Sequence, residues 1–197
     1  YEFVADLPKV WKFKTDPKQE GDKLGFAAAD YKDADWRSIE INMWWEEQIK
    51  EAYDGWAWYR CTFQVPATLK GKEIALIFGA VDESAWLYLN GKPAGEHDIG
   101  PLGWDQPFVI TLDPKLVKFG EPNVLAVKVF DSSNLGGIWR AVKLAATPAS
   151  CSGDRPTVPH SGVPIGPGAI ALTRIPRGAS SAASVCVSDL SAALLAL

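Results

Sequence analysis

Acidic residues stand in adjacent pairs at two places in the chain, Glu46-Glu47 and Asp82-Glu83. Glycoside hydrolysis needs two carboxyl groups that face each other across the bond, about 5–5.5 Å apart for retention of configuration or about 6.5–9.5 Å apart for inversion. Adjacent residues of a strand point to opposite faces of a sheet, so neither pair supplies that arrangement. The string ExDxxE, which would place three acids on one strand face, does not occur.

Nucleophilic catalysis also has little support in the sequence. A serine or cysteine nucleophile needs a nearby base, but the chain holds only two histidines, His97 and His160, and no GxSxG motif. Cys61, Cys151 and Cys186 include no CxxC pair, which argues against a zinc site and a disulfide framework. A Cys151–Cys186 bridge stays open. We therefore expect that this chain alone is not an enzyme.

Tryptophan is the unusual residue, with nine copies. An indole serves either as core filler or as a platform for the apolar face of a sugar ring, which polar neighbours then orient. Trp44 and Trp45, followed by Glu46 and Glu47, have this composition in an expected loop, or one of the indoles caps the open end of a sandwich. The further carbohydrate-binding candidates are Trp56, Trp58 and Arg60 on one strand, and the loop pairs His97-Asp98 and Trp104-Asp105.

Short strands must position these side chains. Apolar and polar residues alternate with a period of two in the segments 11–14, 58–65, 108–112, 124–130 and 138–144, and two more strands are expected over 74–78 and 86–90. Turn signals such as Asn90-Gly91 and Asp113-Pro114 separate them, and one short helix is expected near 45–53. The pattern predicts an all-β sandwich or jelly roll.

The segment 16–36, rich in Asp, Lys and Ala, is interpreted as a long surface connection. It either leaves Trp56 and Trp58 available on the outer face of a sheet or covers them. Trp86 and Trp139 flank regular strands and are expected in the core.

Composition and charge restrict the class of partner. The formal net charge of -4 and the pI near 5.2 provide no broad cationic surface, so nucleic acid is not an expected partner. No apolar run approaches the roughly 20 residues that cross a bilayer, so a membrane is not expected either. The chain begins at Tyr1 with neither an initiator Met nor a signal-type apolar segment, and we expect it to be a mature or excised piece.

The chain divides near Thr147 into a first region, 1–147, and a tail, 148–197, rich in Pro, Gly, Ser and Ala. The tail contains no aromatic residue, no Lys and no Glu. Recurring Pro and Gly predict irregular backbone in its first half, and 188–197 could form a short helix. The tail is either non-native, from a frameshift or vector sequence, or a genuine docking segment.

Several motifs, in this order, resemble the sugar-binding domain of family-two glycoside hydrolases, the group that includes β-galactosidases and β-glucuronidases. They are YDGWAWYR at 53–60, FQVP at 63–66, LIFGAVDESAW at 76–86, LNGK at 89–92, GEPNVLAV at 120–127 and GGIWR at 136–140. The resemblance implies a galactose-binding-like jelly roll. It also implies that the catalytic carboxylates lie on a separate barrel, for which this chain has no room.

The same resemblance implies a role for Asp131, which occupies the place where β-galactosidase-like members present an acid toward the barrel's active site. Alternatively, Asp131 stabilises the Ser132-Ser133-Asn134 turn. Galactose-binding-like domains often hold a structural calcium, to which Asp30, Asp33 and Asp35 could contribute, or these acids form a solvated cluster. No other cofactor or metal is expected.

Together these observations predict a non-catalytic carbohydrate-binding or substrate-positioning domain that accompanies a glycoside hydrolase in polysaccharide degradation, outside the cell or in the periplasm. Its expected partners are a poly- or oligosaccharide and a glycoside hydrolase catalytic domain. The alternative is a structural domain that docks onto a catalytic partner without binding sugar. A small independent hydrolase or lyase is the least favoured hypothesis.

Overall fold

The computed structural model describes residues 1–148. The predictions for the tail beyond Pro148, including the helix over 188–197 and the Cys151–Cys186 bridge, lie outside the described residues.

Residues 1–148 fold into two antiparallel sheets. The strands are β1 (Glu2–Asp6), β2 (Val10–Thr15), β3 (Arg37–Glu40), β4 (Gly55–Gln64), β5 (Ile74–Phe78), β6 (Ser84–Leu89), β7 (Lys92–Asp98), β8 (Phe108–Leu112), β9 (Pro122–Asp131) and β10 (Val142–Ala146). One sheet has four strands in the order β1-β10-β5-β8, and the other has six in the order β3-β2-β4-β9-β6-β7. The single α-helix of this part, α1 (Trp45–Ile49), is short. The predicted all-β sandwich is confirmed.

The long pair β4 and β9 forms the middle of the six-stranded sheet. Their register runs without a break from Gly55 opposite Asp131 to Gln64 opposite Pro122. Alternate β4 side chains, including Tyr59 and Phe63, point into the space between the sheets, as a period of two requires. This register carries Asp131, the last residue of β9, to one end of the sandwich.

Large aromatic side chains fill the core near that end. Trp11, Trp45 and Tyr59 are fully buried. Phe13 packs between them, with its ring centroid 5.0 Å from Tyr59 and 5.7 Å from Trp45. The Trp45 indole Nε1–H donates to the Tyr53 carbonyl, 3.1 Å away, so its polar atom is satisfied within the core.

The connection 16–36 covers the outer face of β4. Phe26 and Trp36 pack on the fully buried Trp58, and Phe26 meets it edge to face at 5.9 Å. The Asp16 carboxylate accepts hydrogen bonds from the Trp58 Nε1–H and from two backbone N–H groups of the connection. Arg60 donates to the Asp33 carboxylate at 2.8 Å and to the Phe26 carbonyl. The connection 16–36 was expected either to leave this face available or to cover it, and at Trp58 the structure shows that it covers the face.

Several elements differ from the expected pattern. The strands β1, β3 and β7 were not predicted, and the strand expected over 138–144 begins only at Val142. β7 contains Pro93 and Gly95 and is paired to β6 through an irregular register, so it lacks the alternation typical of a strand. The pair His97-Asp98 therefore ends a strand and does not lie in a loop.

In the described part of the chain, no helix has the length and apolar character needed to cross a membrane.

Candidate functional site

Three tryptophans from three separate segments stack at the end of the sandwich. The Trp139 ring lies between the other two, with its centroid 4.6 Å from that of Trp44 and 5.6 Å from that of Trp104. The planes differ by only 23° and 17°, so the three indoles are nearly parallel. We call Trp44, Trp139 and Trp104 the tryptophan stack.

Hydrogen bonds hold these segments together. The Trp139 Nε1–H donates to the Trp104 carbonyl at 2.7 Å. The Asn42 N–H donates to the Ile138 carbonyl at 2.9 Å, next to the stacked rings. The Arg140 guanidinium also lies 4.4 Å from the Trp139 ring centroid, within the range of a cation–π contact. The stack is therefore fixed by polar as well as aromatic contacts.

The outermost indole, Trp104, is 47% exposed, whereas Trp44 and Trp139 are half-buried. Apolar side chains on the same loops are also exposed, namely Met43, Ile99, Leu102 and Leu135. Asp105 and Gln106 follow Trp104, and the Gln106 amide donates to the Asp105 carboxylate at 3.0 Å. This end thus offers an aromatic surface with polar groups beside it.

Carboxyl groups are concentrated at the same end, in an acid cluster of Glu46, Asp82, Glu83 and Asp131. Asp131 is fully buried, and its Oδ1 accepts the Ser133 N–H at 2.9 Å. This hydrogen bond agrees with the alternative in which Asp131 stabilises the turn that follows β9. Glu46 accepts the Gly136 N–H at 3.0 Å. Asp131 Oδ2 and Glu46 Oε1 are buried, and neither accepts a hydrogen bond from residues 1–148.

Three members of the acid cluster have raised pKa values, and burial is the largest cause of each shift. Burial, followed by the negative charges of Asp131 and Glu83, raises the pKa of Asp82 to about 7. Burial likewise raises the pKa of Asp131 to about 7, against the opposing effect of the Ser133 N–H. Burial is also the largest cause of the raised pKa of Glu46. Near neutral pH, part of this cluster is therefore protonated.

The glycine Gly136 closes the acid cluster. A Cβ atom at this position would overlap the Trp45 indole and Asp131 Oδ2. The Gly136 carbonyl accepts the Trp45 N–H at 3.0 Å. The close approach of this backbone explains the GGIWR motif physically, because a side chain at Gly136 would push α1 away from β9.

The structure places the predicted site residues in different environments. Trp45 is wholly buried in the core, where its ring fills the space beside Phe13 and Tyr59 and presents no face to the outside, as in the alternative that one of the two indoles caps the sandwich. Trp58 and Arg60 are buried under the connection 16–36 and cannot meet a ligand from outside. Trp56 is half-buried against Trp86 and Phe130.

The remaining candidate residues also lie in different environments. The His97 ring stacks on Phe108 with 4.1 Å between centroids, and its buried Nε2 has no partner within the described chain. Burial lowers the pKa of His97. Asp98 accepts the Ser84 hydroxyl at 2.7 Å. Glu47 is exposed beside Trp44, while Trp104 and Asp105 remain at the surface.

The central member of the stack, Trp139, was expected in the core and is instead half-buried at the surface end. The sequence signal that could have found it is the GGIWR motif, in which two glycines and an aromatic residue follow Asp131. Two glycines bring the backbone close to the core, Ile138 then fills the core, and Trp139 is left half-buried at the rim.

Within residues 1–148, no three histidine, cysteine or acidic side chains are grouped so as to hold a metal ion. Of the three acids considered for calcium, Asp33 pairs with Arg60 at 2.8 Å and Asp35 with Lys14 at 3.2 Å. These two carboxylates serve as counter-ions.

Comparison with known proteins gives consistent relatives, although no family model matches the chain. The chain is 33% identical over 143 residues to a β-glucuronidase of Formosa agariphila and 29% identical over 147 residues to the β-galactosidase BoGH2A of Bacteroides ovatus. These alignments cover 66% and 68% of this chain. They span only 13% and 16% of the two enzymes.

Solved structures agree on the fold. A β-glucuronidase of Ruminococcus gnavus in complex with D-glucuronic acid superposes with a TM-score of 0.65 and 21% identity, over 76% of this chain and 30% of that one. The resemblance seen in the sequence motifs is confirmed: this β-sandwich is related to a domain of the family-two glycoside hydrolases.

Proposed function

We propose that this chain is a non-catalytic carbohydrate-binding and substrate-positioning domain of a glycoside hydrolase, acting outside the cell or in the periplasm. The observation that carries the proposal is the exposed Trp104 at the outer end of the tryptophan stack. An indole that is held by a parallel neighbour, yet half open to solvent, is preorganised for the apolar face of a sugar ring.

Polar groups beside the stack suit a saccharide. Asp105 and Gln106 follow Trp104 directly, and Arg140 lies over Trp139. Carboxylate, amide and guanidinium groups together accept and donate hydrogen bonds, as the hydroxyls of a sugar require. A flat platform of this kind buries little area, so we expect weak binding at a single site, strengthened by a long polysaccharide or a neighbouring catalytic domain.

The acid cluster favours positioning over hydrolysis. A hydrolase needs one acid and one base on either side of an open space that admits the sugar. Here Asp82, Glu83 and Asp131 are buried, and Glu83 is occupied by the Ser132 N–H and hydroxyl. We infer that the cluster shapes the end of the domain next to a catalytic partner, and that the reacting carboxylates belong to that partner.

Docking without sugar binding is the second candidate function, and one observation favours it. Ile99, Leu102 and Leu135 are exposed around the tryptophan stack, with Leu102 82% exposed. Apolar side chains gathered at one end of a domain are typical of a surface that packs against another protein unit. In that case the indoles of the tryptophan stack would pack against a catalytic partner and would not bind sugar.

Affinity electrophoresis against a panel of soluble polysaccharides, followed by calorimetry on any retarding glycan, separates the two functions. We expect saturable binding that Trp104→Ala reduces at least about tenfold, since one stacking contact is worth roughly 1.4 kcal/mol or more. Phe3→Ala is the matched control, because Phe3 is 62% exposed on β1 of the other sheet.

Each outcome has a distinct meaning. Binding that survives Trp104→Ala would contradict the proposed site. No binding to any glycan, by a chain that remains folded, would favour the docking function. Release of reducing ends from a polysaccharide by the purified chain would overturn both functions.

A further inference from the structure

A groove of about 390 Å³ lies on the outer face of the six-stranded sheet, away from the tryptophan stack. Strands β2, β3 and β4 form its floor, and the connection 16–36 forms one wall. Its volume falls in the range of roughly 300–1,000 Å³ that small-molecule sites occupy. The side chains that line the groove include Lys12, Tyr31, Asp33, Ser38, Arg60 and Thr62.

Lys12 occupies the centre of this groove. On the sheet it pairs with Ser38 of β3 on one side and with Arg60 of β4 on the other. Neighbours in register lie on the same face of a sheet, so the three side chains form one row. Thr62, two residues along β4 from Arg60, lies on the same face beside this row and adds a second exposed hydroxyl.

The groove carries more positive than negative charge. Arg60 is already engaged, because it donates to the Asp33 carboxylate and to the Phe26 carbonyl. Lys12 Nζ makes only a long contact of 3.4 Å with the Trp36 carbonyl, although an ammonium group has three hydrogens to donate. The nearby Asp35 is paired with Lys14. Among Lys12, Arg60 and Asp33, one positive charge is therefore left uncompensated.

The other groups suit a polyhydroxylated ligand. The Ser38 and Thr62 hydroxyls can both donate and accept, and the Asp33 carboxylate is partly open to solvent. Tyr31 adds an aromatic wall, and Val10 and Pro8 add an apolar edge. Hydroxyl groups, one carboxylate and one aromatic ring around a single cation match a sugar ring with one negative charge. They match a phosphate less well, because it carries close to two charges at neutral pH.

We propose that this groove binds a saccharide unit bearing a carboxylate, that is, a uronic acid residue, with Lys12 Nζ holding the carboxylate and Ser38 and Thr62 contacting ring hydroxyls. The site is separate from the tryptophan stack and does not rest on the function proposed for it. It would give the domain a second contact with an acidic polysaccharide.

Saturation-transfer NMR with methyl β-D-glucuronide and methyl β-D-glucoside tests the site on the full chain. We expect the glucuronide to bind about tenfold more tightly than the glucoside, because a charge-assisted hydrogen bond is added. Lys12→Met keeps the aliphatic stem and removes the charge, and we expect it to abolish this preference. Thr62→Val should weaken both ligands.

The control is Lys143→Met, which removes the same charge on β10 of the other sheet and leaves the ion pairs beside Lys12 in place. We expect it to leave the preference unchanged. Circular dichroism and thermal unfolding confirm that each variant is folded. Equal binding of both glycosides, or a glucuronide preference that Lys12→Met retains, would overturn the proposal.

Two further measurements identify the ligand and the site. Inorganic phosphate that displaces the glucuronide at equal concentration would overturn the assignment to a uronic acid. Trp104→Ala should leave glucuronide binding intact. Loss of glucuronide binding in Trp104→Ala, with Lys12→Met unaffected, would place the ligand at the stack and reject the groove.

Discussion

The Trp44 and Trp139 indoles lie 4.6 Å apart between centroids, one immediately before helix α1 and the other after strand β9. Both rings face the end of the sandwich where the acid cluster is buried. The contact joins two loops that are distant in the chain, and Trp104 extends it from a third loop. The order of this end therefore depends on its middle ring.

Removing that ring gives the first prediction. Trp139→Ala should lower the free energy of unfolding by about 1–3 kcal/mol, because two aromatic contacts and the hydrogen bond to the Trp104 carbonyl are lost. It should also weaken polysaccharide binding, although Trp104 is retained. Urea denaturation and affinity electrophoresis measure the two effects. If the Trp139→Ala variant were destabilised but still bound polysaccharide with unchanged affinity, the stack would not be what orients Trp104.

The neighbouring tryptophans Trp44 and Trp45 should differ sharply in their contribution to stability. Trp45→Ala should cost about 3–5 kcal/mol, as is usual for a large buried aromatic side chain. Trp44→Ala should cost about 1 kcal/mol, since this ring is half-buried and mainly loses one stacking contact. Equal losses in denaturant unfolding would contradict the placement of these two indoles.

The acid cluster predicts a pH dependence of stability. Asp82 and Asp131 have folded-state pKa values of about 7, above the value of 3.8 for an unperturbed aspartate. The unfolded chain loses these protons first, so the free energy of unfolding should fall as pH rises from about 4 to 7 and then level off. Unfolding in urea at pH 5 and pH 8 measures this slope.

Asp131→Asn should reduce that slope and stabilise the domain at pH 8, because it removes one buried negative charge while keeping an oxygen for the Ser133 N–H. Asp6→Asn, on the exposed strand β1, serves as the control and should leave the slope unchanged. A slope that Asp131→Asn leaves intact would assign the pH dependence to other groups.

The connection 16–36 should loosen when Arg60 loses its charge. Arg60→Met leaves Asp33 without its ion pair and the Phe26 carbonyl without its donor, which should cost about 2–4 kcal/mol. Limited trypsin digestion should then cut at Lys18, Lys23 or Lys32 faster than in the unaltered chain. Lys143→Met on β10 of the other sheet is the control. Unchanged cleavage would mean that aromatic packing alone secures the connection.

Much of the fold could be predicted from the residue pattern because β2, β4, β8 and β9 alternate apolar and polar side chains, whereas β5 is a short, wholly apolar run that is buried on both faces. β1 and β3 were missed because each lies at the edge of its sheet and is mostly exposed, so no apolar alternation marks it. β7 was missed because Pro93 and Gly95 are typical of turns.

The candidate site was harder to predict because it depends on contacts between distant segments. The sequence could identify Trp44 and Trp104 as separate candidates, but it could not show that Trp139 stacks between them. The adjacent Trp44 and Trp45 have equal composition signals, and only the start of helix α1 between them decides which one turns inward. The groove around Lys12 was missed entirely, since its side chains come from four segments and form no motif.

The middle of strand β4, at Trp58 and Arg60, is enclosed on both sides, by the core on one side and by the connection 16–36 on the other. A shortened version of the domain that omits this connection would bring the Trp58 indole and the Arg60 stem into contact with water. Such a fragment would self-associate through the newly exposed outer face of the six-stranded sheet. Chain ends or insertions introduced by engineering should avoid this connection and belong at a site such as Gly71, where the position of a Cβ has no atom within 4 Å.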